Sequence, residues 1–285
     1  MNFYLTAVLL GLGFSAMGMG IFISMRIFNI PDITTDGSFT LGGAVTAIML
    51  TNDQPLLIVL PCVFIAGATA GAITAFIHTR LKVNALLSGI LVMTALYSVN
   101  LAIMGRSNIP LINTFSIFNT TSGSEIQSQL IVLTLFTGLI FILLSWLLKT
   151  DFGLAMRATG NNETMIRSMG VNTSLMKITG LALANGLTAI SGFLIVQIQG
   201  FSDIGMGIGI VILGLGSVMI GEITMKVFRI NNIALHLLGV IAGTIIFRLI
   251  LAFALSTGID ALYLKLVVSL FVLLIVSIPN LKRSE

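Results

Sequence analysis

The amino-acid sequence predicts an all-α polytopic membrane protein, and three observations carry this prediction. Charged residues make up only 8% of the 285 residues, whereas a soluble domain has about 25%. Hydrophobic residues make up 56%. They are concentrated in long, charge-poor runs, several of which reach the roughly 20 residues that a helix needs to cross a bilayer. In hydrocarbon, such runs satisfy their backbone polar groups by forming helices.

Nine apolar runs along the chain are candidate membrane segments. The second and the seventh are short and rich in glycine, which is typical of interrupted or re-entrant helices in transporters. The runs cover residues 3–25, 38–50, 56–78, 84–105, 129–148, 175–198, 206–221, 232–255 and 262–279. We therefore expect about nine segments in a single transmembrane domain formed by residues 1–285.

The distribution of lysine and arginine predicts the orientation of these segments, because cytoplasmic loops carry an excess of both residues. A cytoplasmic carboxyl terminus leaves only Arg106, Arg248 and Lys265 outside or in the outer half. The residues then placed inside are Arg26, Arg80, Lys82, Lys149, Arg157, Arg167, Lys177, Lys226, Arg229, Lys282 and Arg283. Nine crossings then predict an external amino terminus, unless the short second segment is re-entrant. They also predict an external loop at 106–128 and a cytoplasmic loop at 149–175.

Two parts of the sequence are similar to each other. Asp36 and Asp203 each begin a short glycine-rich segment that follows a long one, and the next long segment carries a GxxxG motif in both cases. We therefore predict an inverted repeat of segments 1–4 and 6–9, an architecture common in transporters. Close helix packing is the better interpretation of the motif glycines themselves. These glycines are Gly67, Gly71, Gly239 and Gly243.

The stretch RATGNNETMIRSMGVNT, residues 157–173, is polar and charged between apolar segments. Asn161 or Asn162 is a plausible helix N-cap, and Gly170 suits the position after the helix end. A helix of two turns is not stable alone in water, so we expect it to bind a partner surface; the alternative is a helix lying on lipid. The candidate residues are Arg157, Asn162, Glu163, Met165, Ile166, Arg167, Met169 and Gly170.

A second polar stretch, NIPDITTDGS at residues 29–38, contains the helix breaker Pro31. Polar backbone at membrane depth is tolerated only where protein or water surrounds it. One interpretation is therefore a pathway or gate element, and the other is a polar loop in which Asp36 caps the short segment. The candidates are Asp32, Thr34, Thr35, Asp36 and Ser38.

Arg248 is a charged residue well inside a long apolar segment, and such residues usually face protein or water. We treat Arg248 as a candidate for contact with a solute carboxylate, and Asp203 as a further gate candidate. The alternative is that Arg248 reaches the outer interface or pairs with Asp260 or Asp203.

Several function classes are excluded by composition. The single cysteine, Cys62, rules out a disulfide framework, and two scattered histidines are too few for a zinc site. A phosphate-binding loop needs GxxxxGK[ST], but the best match, Gly216–Gly221, is followed by Glu222. We find no cluster suited to an intramembrane enzyme. We therefore expect no covalent catalysis and no cofactor bound by this chain.

The run DFGLAMRATGNNETMIRSMGVNTSLMK resembles the cytoplasmic coupling loop of ABC importer permeases of the branched-chain amino acid and ribose-type family. Residues 29–47 and 212–222 match other landmarks of this family, and the resemblance covers nearly the whole chain. The sequence lacks the EAA consensus of other importer permeases. It is also similar to a subgroup of single permeases linked to aromatic amino acids. The matching coupling-loop residues are Gly153, Ala155, Arg157, Ala158, Gly170, Val171 and Asn172.

This resemblance implies a permease subunit in a bacterial plasma membrane, working by alternating access. The implied partners are a second permease copy, an external solute-binding protein, a cytoplasmic ATPase dimer that holds ATP and Mg²⁺, and the bilayer; nucleic acid is not among them. The implied solute is an amino acid, with aromatic ones favoured and sugars or nucleosides as the alternative. A secondary transporter or channel is the other alternative, but it would need buried ion-coupling carboxylates and no docking helix.

Overall fold

The computed structural model is a bundle of α-helices with one two-stranded sheet. It describes residues 2–112, 114, 116–120, 125–227, 232–258, 260 and 263–281. In this part of the chain the helices are α1 (Asn2–Ile21), α2 (Thr34–Thr51), α3 (Leu56–Arg80), α4 (Ala85–Met104), α5 (Glu125–Leu147), α6 (Asp151–Asn161), α7 (Glu163–Ser168), α8 (Thr173–Gln199), α9 (Ile210–Val227), α10 (Ile233–Ser256) and α11 (Leu264–Leu281).

Four short elements complete the described structure. A π-helical stretch, Phe22–Ile27, continues α1, and a 3-10 turn covers Ile117–Thr120. Strands β1 (Asn108–Pro110) and β2 (Phe201–Asp203) pair antiparallel, with Ile109 opposite Ser202. The strands were not predicted from the sequence, because three-residue strands carry no periodic pattern.

Each of the nine predicted apolar runs overlaps a long helix. Within the described residues, six helices are long and apolar enough to cross a membrane: 3–27, 56–80, 85–104, 126–147, 173–199 and 233–256. Helices α2, α9 and α11 have 18 residues each and do not reach that criterion. Six membrane-spanning helices are therefore supported, and the count of nine stays a prediction.

Helices α1 and α8 form the centre of the bundle. In each of them 83% of the most apolar window is buried. They pack closely because glycines face the neighbouring backbone: a Cβ on Gly20 would overlap the carbonyl of Ala184. The rings of Phe14 and Phe39 stack with centroids 5.6 Å apart and join α2 to this centre.

Both GxxxG motifs lie at helix contacts. Gly67 and Gly71 of α3 face α8, and a Cβ on Gly71 would overlap the carbonyl of Leu181. Gly239 and Gly243 of α10 face the backbone of α9 in the same way. Small residues at such positions let helix backbones approach and gain van der Waals contact, which drives helix association in lipid.

The helices in the two halves of the chain have corresponding neighbours. Helix α2 packs against α3, α4 and α8, and α9 packs against α10, α11 and α1. The hydroxyls of Tyr4 and Ser256 lie 3.4 Å apart, so α1 begins where α10 ends. We call this the β-pair end. Arg26 and Glu222 form an ion pair at the opposite end, which we call the α7 end.

Two predicted boundaries were wrong. Helix α2 begins at Thr34, not at residue 38, because the Asp32 carboxylate accepts a hydrogen bond from the Thr34 amide (2.9 Å) directly after Pro31. Thr34, Thr35, Asp36 and Ser38 are therefore helical and do not lie in a loop. Helix α9 begins at Ile210, and residues 204–209 form turns before it. Of the basic residues used for orientation, Arg229, Lys282 and Arg283 lie outside the described residues.

Substitution of Gly71 by alanine should destabilise the bundle, since the added Cβ has no room beside the α8 backbone. We expect the free energy of unfolding to fall by about 1–3 kcal/mol, as is usual for overpacking. Thermal unfolding in detergent measures this. The matched control is Gly138→Ala in α5, where nothing lies within 4 Å of the added Cβ; equal losses in both variants would contradict the packing role.

Candidate functional site

The predicted cytoplasmic segment forms two consecutive helices joined at Asn162. Helix α6 ends at this residue, whose backbone is extended, with φ −152° and ψ 93°. The Asn162 side chain then caps α7 by accepting hydrogen bonds from the Met165 amide (3.0 Å) and the Thr164 hydroxyl (2.8 Å). Gly170 follows α7 with φ 86°, a conformation that glycine adopts without a Cβ clash. Of the two asparagines considered, Asn162 is thus the N-cap.

Ionic contacts hold α7 against the first turn of α8. The Glu163 carboxylate accepts hydrogen bonds from Lys177 Nζ (2.5 Å), Arg167 Nη2 (2.8 Å) and the Thr173 hydroxyl (3.1 Å). These contacts, with the Lys177 hydrogen bond as the largest cause, lower the pKa of Glu163 below its ordinary value of 4.5. Helix α7 has only six residues, too few to be stable alone, so these bonds fix its position.

Met165 of α7 and Met169, which directly follows α7, are exposed; we call them the methionines of α7. Met165 is 57% exposed and Met169 68% exposed, and no α7 residue is buried. Ile166 between them is half-buried. Methionine is flexible and polarisable, so an exposed pair is suited to adaptable contact with another surface.

Helix α6, which the sequence analysis did not predict, connects this segment to the bundle. A Cβ on Gly160 would overlap the Ile27 carbonyl, so α6 touches the end of the π-helical stretch. Asn29 Nδ2 donates to the Gly160 carbonyl (3.3 Å). Arg157 lies on α6, not on α7. The missed signal was Thr150, whose hydroxyl caps α6 by accepting from the Gly153 amide (3.3 Å).

Most of the polar residues predicted at 32–38 join a buried hydrogen-bond network. The Asp32 carboxylate accepts from Asn185 Nδ2 (2.6 Å), and the Asn185 carbonyl oxygen accepts from the Ser38 hydroxyl (2.7 Å). The hydroxyls of Thr34 and Thr74 lie 2.7 Å apart. All five residues are buried, and they join α2, α3 and α8. The Thr35 hydroxyl donates to the Asp32 backbone carbonyl (3.1 Å).

Asp36 caps a helix other than its own. Its carboxylate accepts hydrogen bonds from the amides of Gly209 (2.9 Å) and Val211 (2.8 Å) at the start of α9. The interpretation of Asp36 as the cap of its own short segment was wrong, because Asp36 lies within the first turn of α2. The sequence could not give this pairing, since the partners are more than 170 residues apart.

Asp203 and Arg248 lie apart from this network. Asp203 accepts from the Gly205 amide (2.8 Å) and from Asn108 Nδ2 (3.3 Å), so it stabilises the turn beside the β pair. Arg248 makes no ion pair with any described acid; its guanidinium lies over the Phe14 ring, 4.0 Å from the centroid. The alternative in which Arg248 pairs with Asp203 is therefore not observed.

A small cavity connects Asp36 to the surface of α4. Its volume is about 30 Å³, enough for about one water molecule. Asn100 lines it, and the Asn100 side-chain oxygen has no hydrogen-bond partner in the described structure. Tyr97 at its edge is 52% exposed. Of the pathway candidates, only Asp36 lines this cavity.

A bundle with six described helices long enough to cross a membrane, a buried polar network and a short exposed helix at one end is the architecture of a multi-span membrane protein. The family model described as "Branched-chain amino acid transport system / permease component" matches residues 3–277. The chain belongs to this family, which confirms the resemblance seen in the sequence.

Known relatives agree with this assignment. The chain is 38% identical to the tyrosine transport system permease protein of Clostridioides difficile, over 95% of this chain and 89% of that protein. It is 33% identical to an uncharacterised protein of Rickettsia prowazekii over the full length of both. A ribose import permease protein of Haemophilus influenzae is 23% identical over 78% of this chain and 67% of that protein.

The fold is similar to one solved structure, an inward-facing conformation of a metal-chelate-type ABC transporter. The TM-score is 0.52 at 15% sequence identity, and the match covers 98% of this chain and 85% of that chain. At this identity the similarity concerns the fold alone: an ABC transporter permease fold.

Removal of the Glu163 charge should loosen α7 in a pH-dependent manner. Because the folded pKa lies below 4.5, the ion pairs stabilise α7 above pH 4.5 and are lost as the pH falls through the folded pKa. In Glu163→Gln we expect amide exchange in α7 to be roughly two- to fivefold faster at pH 7, the range of exposed ion pairs. The difference from wild type should vanish well below pH 4.5.

Hydrogen exchange with mass spectrometry measures this effect on peptides that contain α7. Asp151→Asn is the control, since Asp151 forms no ion pair with a described residue and should leave α7 unchanged. A difference between wild type and Glu163→Gln that persists unchanged at pH 3 would contradict the ionic explanation.

Asp36→Ala should destabilise the start of α9, because the amides of Gly209 and Val211 lose their acceptor inside the bundle. We expect the free energy of unfolding to fall by about 1–3 kcal/mol, measured by thermal unfolding in detergent. Asp203→Ala removes a comparable acceptor from a half-buried turn and should cost clearly less. An Asp36→Ala variant as stable as wild type would refute the capping role.

Proposed function

We propose that the chain is the membrane-spanning subunit of an ABC importer for an amino acid, powered by a separate ATPase. The observation that carries this proposal is the 38% identity, over 95% of the chain, to a protein named as a tyrosine transport system permease. Helix α7 supplies the docking element that an ATPase-driven permease needs. In this proposal the chain itself hydrolyses no ATP.

The exposed methionines of α7 are the contact with the ATPase. Met165 and Met169 project from the protein, and the Glu163 ion pairs with Lys177 and Arg167 fix the helix that carries them. A docking element must transmit force, so it has to be held rigidly while its tip remains free. Helix α7 meets both conditions, with Ile166, Asn162 and Gly170 defining its shape.

A continuous set of contacts links α7 to the interior. Helix α6 touches the end of the π-helical stretch at Gly160, where Asn29 donates to its carbonyl. Asp32 lies three residues after Asn29, and its carboxylate accepts a hydrogen bond from Asn185 of α8. In this proposal, α7 and α6 move together and shift the start of α2, and this shift opens the solute pathway to one side of the membrane at a time. Asp36, Asp203 and Arg248 are the proposed residues near that pathway.

The finer architecture is part of the proposal. The corresponding neighbours of α2 and α9 support an inverted repeat of nine segments. The α7 end carries many basic groups, which supports a cytoplasmic location of this end and of the carboxyl terminus. Alternating-access importers place the solute route between two permease copies, so we propose a homodimer served by an external binding protein in a bacterial plasma membrane.

Tyrosine and related aromatic amino acids are the proposed solutes. The tyrosine permease relative matches at 38% identity, and the ribose permease relative at 23% over a smaller share of the chain. A sugar is therefore the second candidate. Uptake of labelled tyrosine into cells expressing the full transport system, with unlabelled tyrosine, leucine and ribose as competitors, separates the two.

The docking role is tested with Met165→Asp combined with Met169→Asp. Two buried carboxylates in an apolar contact are costly, so we expect copurification of the ATPase and solute uptake to fall at least about tenfold. The permease itself should remain folded, because both side chains are exposed. Pull-down of the ATPase and uptake of labelled tyrosine are the measurements.

The control for this experiment is Leu81→Asp, an equally exposed apolar residue after α3 at the same end. It should leave both measurements near wild type. If the methionine variant still binds the ATPase and transports tyrosine normally, the docking assignment is refuted. If the ATPase is lost but wild-type uptake is specific for ribose, docking stands and the amino acid assignment is refuted.

A further inference from the structure

A polar pocket of about 260 Å³ lies at the α7 end, away from the methionines of α7 and from the buried Asp32 network. The π-helical stretch, α6 and α10 form its walls. Its volume approaches the lower limit of ordinary ligand pockets, about 300 Å³. The residues that line it include Arg26, Arg157, Asn161, His236, Phe22 and Ile233.

The donors in this pocket have unused hydrogen-bonding capacity. Arg26 forms an ion pair with Glu222 (Nε to Oε1, 2.6 Å), and its terminal nitrogens make no hydrogen bond to a described residue. Arg157 forms no ion pair with a described acid. The His236 ring stacks on Phe22, with centroids 6.4 Å apart, so that its edge is available to the pocket.

The charge around the pocket is positive. Glu222 is the acid of this region, and Arg26 and Lys226, at 2.6 Å and 3.8 Å, share it. Arg157 adds a third cation with no described acid. Guanidinium groups present a planar set of donors that matches phosphate oxygens, so phosphate is a ligand that suits the arginines of this pocket.

The surroundings favour a lipid over a soluble anion. Phe22 and Ile233 form the apolar part of the lining. Helix α10, which contributes Ile233 and His236 to the pocket, also carries exposed apolar residues on another face that runs toward the β-pair end; they are Leu235, Leu238, Ile246 and Phe253. A molecule with a charged head and long acyl chains matches a basic pocket on a helix whose outer face is apolar.

We propose that this pocket binds the phosphate headgroup of an anionic phospholipid, with the acyl chains along the exposed apolar face of α10. Arg157 and Arg26 hold the phosphate oxygens, and Asn161 and His236 contact the rest of the headgroup. Lipid retention is measured on the purified permease alone, so its outcome is distinguishable from a failure of the proposed solute or of ATPase docking.

Native mass spectrometry of the purified full chain tests the proposal. The chain is incubated with phosphatidylglycerol, with phosphatidylcholine or with inorganic phosphate, and the retained molecules are counted for wild type and for Arg157→Gln combined with His236→Gln. We expect wild type to retain phosphatidylglycerol preferentially. The double variant should bind it roughly tenfold more weakly, since each surface cation contributes a severalfold factor.

The matched control is Arg80→Gln combined with His78→Gln, which removes the same two residue types from the end of α3. It should retain phosphatidylglycerol like wild type, and thermal unfolding in detergent verifies that both double variants are folded. Arg157→Lys should bind with intermediate strength, because lysine keeps the charge but not the planar donors.

Three results would overturn the proposal. Equal retention of phosphatidylglycerol by wild type and the Arg157/His236 variant would show that the pocket binds no lipid. Equal retention of phosphatidylcholine would contradict the preference for an anionic headgroup. Displacement of phosphatidylglycerol by an equal concentration of inorganic phosphate would assign the site to a soluble anion instead.

Discussion

The bundle depends on the satisfaction of backbone amides where helices begin inside the protein. Helices α2 and α9 both start next to other helices, where side chains supply acceptors for the amides of the first helical turn. Two carboxylates of one short stretch supply them: Asp32 accepts from the amide of Thr34, and Asp36 accepts from amides at the start of α9. The starts of α2 and α9 are therefore both capped by an aspartate carboxylate from residues 32–36, and this stretch fixes the position of both helices.

The same stretch explains why polar residues cluster there. One carboxylate oxygen of Asp32 accepts the hydrogen bond from the Thr34 amide. The other is buried as well, and it accepts a hydrogen bond from Asn185 of α8. Ser38 then bonds the Asn185 oxygen, so each buried polar group in this set has a partner. A fully satisfied network of this kind stabilises a single arrangement of helices, whereas a partly satisfied one is costly. The polarity that suggested a pathway thus has a structural role in joining α2 and α8.

Apolar runs allowed the long helices to be predicted, because hydropathy reports burial in lipid regardless of neighbours. The cap at Asn162 and the turn at Gly170 were also visible, since capping acts over three or four residues. Contacts across the chain were not. The pairing of Asp36 with α9 and of Asp32 with Asn185 depends on tertiary packing, and so does the contact of Gly160 with Ile27. The sequence named many of the residues, but it did not indicate their partners.

The position of α6 follows from the same packing, and α6 connects α7 to the turn at Asn29. Gly160 has no side chain, so the α6 backbone lies directly on the carbonyl of Ile27, and the Asn29 side chain donates a hydrogen bond to the Gly160 carbonyl. Asn29 has φ 53°, which turns the chain sharply from the π-helical stretch toward Asp32. A displacement of α7 that carries α6 with it must therefore move this turn, and the turn is bonded to the start of α2. In the proposed coupling, force applied at the exposed methionines would reach the start of α2 through the contact of Gly160 with Ile27 and the hydrogen bond from the Asn29 side chain.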